Sequence, residues 1–172
     1  MFDAIKKRFQ DMGTIKALCQ GAERHANLAG QKEPGAEHFV LAALDLPDGS
    51  ARGVFERLRA DPDGYRAAIA QQYEDTLRNV GIAVPQGAAG FGATAAPATS
   101  ATICSGQPSA QALMKRLAGQ EKNGAPLLGA HVILAVADSQ YGVAARALQA
   151  MGLAPAQLAQ AAQAQLEASR NA

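Results

Sequence analysis

The sequence predicts an all-α protein, and three observations carry that prediction. The apolar fraction is 48%, much of it alanine, while aromatic residues make up only 5%. Alanine loses no side-chain entropy on entering a helix, so this bias favours helices over strands. Apolar residues then recur at helical spacing in almost every segment outside one linker. Finally, the pattern of the first half returns in the second, which makes the helical reading a repeated one.

Residues Phe2, Ile5, Phe9 and Met12 lie three and four apart, with Lys6, Lys7 and Arg8 between them. They predict a short amphipathic helix over 1–12, an addition to the main body. It reads as a lid packed on the domain, with a partner or membrane-surface contact as the alternative. Gly13-Thr14 is expected to open a second helix carrying Ile15, Leu18, Cys19, Ala22 and Ala26 on one face and stopping near Gly30. After a turn through Lys32-Glu33-Pro34-Gly35, the almost wholly apolar run Glu37 to Leu44 predicts a short helix buried on nearly every side.

Asp48-Gly49-Ser50 supplies a turn and a cap for a helix presenting Val54, Phe55 and Leu58. Asp61-Pro62 reads as a helix start, an acceptor followed by a proline whose missing N–H costs nothing in the first turn. Tyr65, Ile69, Tyr73 and Leu77 form its stripe. From Val84 to Pro108 the composition shifts to Ala, Gly, Pro, Ser and Thr, the signature of a linker. Its Gly87 to Gly92 run has neither a preceding strand nor a Lys-Ser/Thr, so it is no phosphate loop. Helices are expected next around Leu113, Met114 and Leu117, over Val132–Ala137, over Val143–Met151, and from Pro155 to about Ser169.

A shift of 93 residues lays His131 on His38, and without a gap it also pairs Leu41 with Leu134 and Asp45 with Asp138. The same register pairs Gly49 with Gly142 and Pro62 with Pro155. The expected fold is therefore two pseudo-symmetric four-helix repeats in one globule: residues 13–83, the linker 84–108, and residues 109–172. His38, His131, Asp45, Asp138, Pro62 and Pro155 read as structural residues: core or capping histidines, acceptors ending the short helices, and helix-start prolines.

Sixteen Lys+Arg against fifteen Asp+Glu leave a formal charge of +1, which gives no push towards nucleic acid. No apolar run reaches the roughly 18–20 residues that cross a bilayer, so no integral membrane segment is expected. The first residues lack an apolar leader core, so the expected compartment is the cytoplasm. Cys19 and Cys104 form no CxxC and read as small semi-buried thiols in a reducing setting. His25 gives no ligand spacing with His38 and His131, so no metal is expected. No nucleophile motif or carboxylate pair stands out either, so no enzyme and no cofactor are expected.

The segment Ala22-Glu23 through Gly30, then Pro34-Gly35-Ala36-Glu37-His38-Phe39-Val40-Leu41-Ala42-Ala43-Leu44, resembles the repeat of Clp unfoldase N-terminal domains. That repeat has an Ala-rich helix, a Gly-containing turn and G-T-E-H followed by an apolar run. In the second half, Gly142 to Leu148 with Met151-Gly152-Leu153 is similar to another segment of the same repeat. The resemblance spans about Thr14 to Ala168 outside the linker. It implies a non-catalytic protein-binding module acting as adaptor, decoy or regulator in Clp-dependent unfolding and proteolysis, with a Clp unfoldase, adaptors or client polypeptides as partners. The alternative it leaves is a sequestering protein for small molecules or modified residues that target such domains. No G-x-x-x-x-G-K-[ST] is present, so a stand-alone module without an ATPase, monomeric as a self-contained pseudo-dimer, is expected. Glu37 falls where phosphoarginine-reading members place a guanidinium-binding carboxylate, whereas the second half has Ala130 and Ala36 replaces the usual Thr. Glu37 is accordingly the candidate ligand- or peptide-binding residue, near exposed surface, although a first-turn carboxylate stabilising its helix start is the slightly favoured reading.

Overall fold

The computed structural model describes residues 2–79, 81, 106–120 and 126–171, with the backbone alone for residues 2–5 and 7. Among the described residues there are eight α-helices and no strand. They are α1 (Phe2–Leu28), α2 (Ala36–Leu44), α3 (Ser50–Arg57), α4 (Gly64–Asn79), α5 (Pro108–Gly119), α6 (Gly129–Ala137), α7 (Val143–Ala150) and α8 (Pro155–Arg170). Most of the linker, 84–105, lies outside the described residues.

Helices α2 and α6 form the centre. All nine residues of α2 are buried, as the unbroken apolar run requires, and seven of α6 are. The two pack on each other, α1 covers α2, and α8 covers α6. Small side chains set the α1–α2 distance: a Cβ on Gly21 would stand 2.8 Å from the Ala42 Cβ. Other contacts cross between halves, α3 lying on α6 and α8 while α7 lies on α4. Phe55 of α3 meets Tyr65 of α4 edge-to-face at 6.3 Å, both fully buried.

A buried helix start leaves backbone N–H groups that need acceptors. The α2–α3 loop and the first residue of α3 supply them to α6, with Asp48 Oδ2 accepting from Gly129 N–H at 3.2 Å and Ser50 Oγ from Ala130 N–H at 2.9 Å. For α2, Ser109 Oγ of α5 accepts from Ala36 N–H at 3.2 Å. Arg52 closes the other end of α2, donating from Nε to the Leu44 carbonyl at 3.0 Å.

Helices α3 and α7 end in the same turn. Arg59 N–H donates to Glu56 O and Ala60 N–H to Phe55 O, the paired bonds of a Schellman motif; Gly152 and Leu153 repeat them on Gln149 and Leu148. The residue at the crossing point must be left-handed. Gly152 is, at φ +79, and so is Arg59, at φ +53, the one described non-glycine residue with positive φ. For an L-residue with a Cβ that conformation costs about 1–2 kcal/mol.

Three element expectations are corrected. No break separates 1–12 from the next segment, since α1 runs 27 residues through Gly13. Mid-helix glycine costs only about 1 kcal/mol, and Thr14 Oγ1 donates back to the Gln10 carbonyl as an interior helical residue does. Nor are Phe9 and Met12 packed as a lid, for they are 70% and 65% exposed. The core face of α1 carries Leu18, Ala22 and His25, on the opposite side of the helix. Helix α4 starts at Gly64, two residues beyond Pro62. Asp61 Oδ1 accepts from Asp63 N–H at 3.0 Å, holding Pro62 in a turn before the helix. Pro155, by contrast, stands in the first turn of α8.

Cys19 is disulfide-bonded, which corrects the expectation of a free thiol. The chain's other cysteine is Cys104, outside the described residues. Two residues beyond it, Gly106 is buried with the Pro34 carbonyl 3.1 Å from where its Cβ would stand, so the linker's end returns to the body here. Such a bond stabilises by restricting the unfolded chain, by about 2–4 kcal/mol. Reduction, or Cys19→Ser, is therefore expected to lower Tm by roughly 5–15 °C. Thermal unfolding with and without reductant checks this, with the C19S variant insensitive to reductant.

Candidate functional site

The N-terminus of α2 gathers the polar groups of the buried core. Gly35 is its N-cap, in extended conformation, and His38 stands three residues on. His38 Nδ1 accepts from Gly35 N–H at 2.9 Å, and His131 Nδ1 accepts from Leu128 N–H at 3.0 Å at the same place in α6. Each ring does what Glu or Gln does in a capping box, reaching back to the N-cap amide. With Nδ1 an acceptor, the His38 ring is neutral and its proton sits on Nε2, which is buried without a partner among the described residues. The 3.5 Å approach of Nδ1 to Glu37 is therefore a contact and not an ion pair.

Glu37 is 1% exposed, which corrects the expectation of a carboxyl on accessible surface. It folds back over Gly35 so closely that a Cβ there would overlap both carboxylate oxygens. Tyr73 of α4 donates its hydroxyl to Glu37 Oε1 at 2.5 Å. Burial pushes the Tyr73 phenol far above its usual range, and its bond to Glu37 adds to the effect. Gln31 bonds the same hydroxyl. Its Oε1 in turn accepts from Gln107 Nε2 at 2.9 Å, and Gln107 N–H donates to the Pro34 carbonyl at 3.0 Å. A chain of hydrogen bonds thus runs from the buried carboxyl through Tyr73 and Gln31 to Gln107 at the end of the linker. The Tyr65 hydroxyl, also fully buried, has its pKa raised by burial and then by Glu37 and Tyr73.

A second cluster ties α1 to the end of α2. His25, 5% exposed, hydrogen-bonds Asp45 Oδ2 through Nε2 at 2.8 Å, and Arg66 donates to its Nδ1 at 3.2 Å. An acceptor Nδ1 leaves the proton on Nε2, so His25 donates to Asp45. Arg24 adds a 3.1 Å ion pair to the same oxygen. Asp45 and Asp138 both occupy the C-cap positions of their helices. The Asp45 carboxylate, however, serves α1, while Asp138 lies exposed at the end of α6. Burial lowers the pKa of His25, against the pull of Asp45, and that of His38, against the charge of Glu37.

The structure thus brings Glu37 and His38 together and leaves His131 some way round the same core in the second half. Tyr73, Gln31, Gln107 and His25 belong to these clusters without a motif in the sequence to mark them. Tyr73 reads there only as part of a helix stripe, and the two glutamines carry no pattern at all. No protein-family model matches the chain, and no curated protein does.

Two outcomes are expected from this geometry. Removing the hydroxyl with Tyr73→Phe leaves a buried carboxyl short of a donor, a loss of about 1–3 kcal/mol in urea unfolding. His25 and His38, with pKa values below the unfolded 6.5, contribute stability present above that pH and lost as pH falls. Tyr65 and Tyr73, with pKa values above the unfolded 10.0, contribute stability lost as pH rises beyond it. Unfolding free energy against pH is expected to show a plateau between these limits. His38→Gln, which keeps an acceptor at the same helix position without titrating, should flatten the acid limb.

Proposed function

We propose that the chain is a non-catalytic protein-binding module of the Clp N-terminal type, acting as adaptor, decoy or regulator in Clp-dependent unfolding and proteolysis. The observation that carries this reading is the recurrence of structure on the sequence shift. α6 and α7 have the bounds of α2 and α3 moved by 93 residues, and α4 and α8 each have 16 residues. His38 and His131 make the same reach-back bond, and the turns after α3 and α7 share their hydrogen bonds. These features support two copies of one four-helix unit, the architecture that the resemblance implies.

On this reading α2 and α6 are scaffold, and recruitment uses the outer helices. Glu37 has a structural role, closing the start of α2 beneath Tyr73. A guanidinium ligand there has to displace the Tyr73 hydroxyl, so a phosphoarginine-sequestering role predicts binding that strengthens in Tyr73→Phe. Among the described residues no helix is long and apolar enough to cross a membrane. A cytoplasmic setting belongs to the same proposal, and there the Cys19 disulfide is a transient, redox-dependent bond. The test is affinity capture by the tagged full chain from its own cell lysate, with mass-spectrometric identification. Enrichment of a Clp unfoldase or its adaptor is the expected result. Recovery of unrelated proteins only, unchanged by competition with a purified Clp N-terminal domain, overturns the proposal.

A further inference from the structure

The turns after α3 and α7 face one another across a cleft of about 510 Å³, roofed by α8. That volume is in the range of peptide- and ligand-sized sites, and well beyond a bare inorganic anion. Arg57 and Arg59 enter from the first turn, Gly152 and Leu153 from the second. Leu58 and Leu153 give it an apolar floor, while α8 contributes Ala161 and the carboxamides of Gln157 and Gln160.

Two features separate this cleft from an ordinary solvated surface. Neither arginine forms an ion pair among the described residues, although Arg24, Arg52 and Arg78 all do. Arg57 is steered by its Nε bond to Gln165 Oε1 at 2.7 Å, which holds the guanidinium on this face. The acidic neighbours Glu56 and Asp61 do not line the cleft. The second feature is Arg59 itself. Its left-handed backbone is a glycine's conformation, and the matching turn has Gly152 in that place. A side chain there works against the turn, and what it adds is a second unpaired guanidinium at the mouth of the cleft.

We propose that this cleft binds the free carboxy-terminal end of an apolar polypeptide tail. The two guanidinia take the terminal carboxylate in charge-assisted hydrogen bonds, and the last side chains lie on the Leu58–Leu153 floor. The proposal rests on the reading of the chain as a polypeptide-binding module and names the feature of the polypeptide that it recognises.

The test uses the full chain and a fluorescein-labelled hexapeptide ending in two leucines, as free acid and as carboxamide, read by fluorescence anisotropy. The free acid is expected to bind at least about tenfold more tightly than the amide, as loss of a charged hydrogen-bond partner implies. Arg59→Gly gives the turn the residue its counterpart has, so Tm should hold or rise while affinity for the free acid falls about tenfold. Equal binding of acid and amide, or an R59G variant that binds like the parent, overturns the proposal. Capture of a purified Clp unfoldase is measured on the same two proteins. Capture without carboxylate-dependent peptide binding removes the cleft and keeps the module reading, whereas peptide binding without capture does the reverse.

Discussion

Everything in this fold depends on how two buried helix starts obtain hydrogen-bond acceptors. A helix with no solvent face cannot leave its first amides to water, and neither α2 nor α6 carries Ser, Thr, Asp or Asn at its N-cap. Each combines a histidine in its own first turn with hydroxyl or carboxylate oxygens from the other half of the chain: Ser109 for α2, Asp48 and Ser50 for α6. The capping bonds and the packing between halves are therefore one interaction, and neither forms without the other.

That coupling explains the placement of polar residues in a core made largely of alanine and leucine. His38, His131, Ser50 and Glu37 are its buried polar members, with His25, and each lies at or beside a helix end. The Glu37–Tyr73–Gln31–Gln107 chain extends the pattern outward, so that the linker's last residues complete the surroundings of a carboxyl buried far earlier in the sequence. Burial makes such a network strong when complete and costly when one member is missing.

Much of the architecture was legible because it rests on local patterns. The apolar run after Pro34 could only be a buried helix, Pro155 opens α8 where a first-turn proline should, and the shift that matches His38 to His131 also matches helix bounds. What escaped was decided by partners distant in sequence. Glu37 read as an accessible carboxyl because nothing near it announces Tyr73, which arrives from α4. Gly13 read as a break because glycine usually is one, yet one unfavourable residue does not interrupt a helix held further along by Leu18, Ala22 and Ala26. The bonded state of Cys19 is marked by no local pattern.

The capping across halves also makes the halves unequal. On the shift of 93 residues, Asp48 and Ser50 correspond to Tyr141 and Val143, neither of which has a carboxylate or aliphatic hydroxyl to offer a buried amide. A dimer of two first halves could supply each partner's central helix with both acceptors, whereas a dimer of two second halves would lack them and have Ser109 alone to offer. If both halves descend from one duplicated unit, the first has kept the means of pairing with its own kind. The second has become dependent on its neighbour, a one-way loss that fusion into a single chain makes tolerable and then hard to reverse.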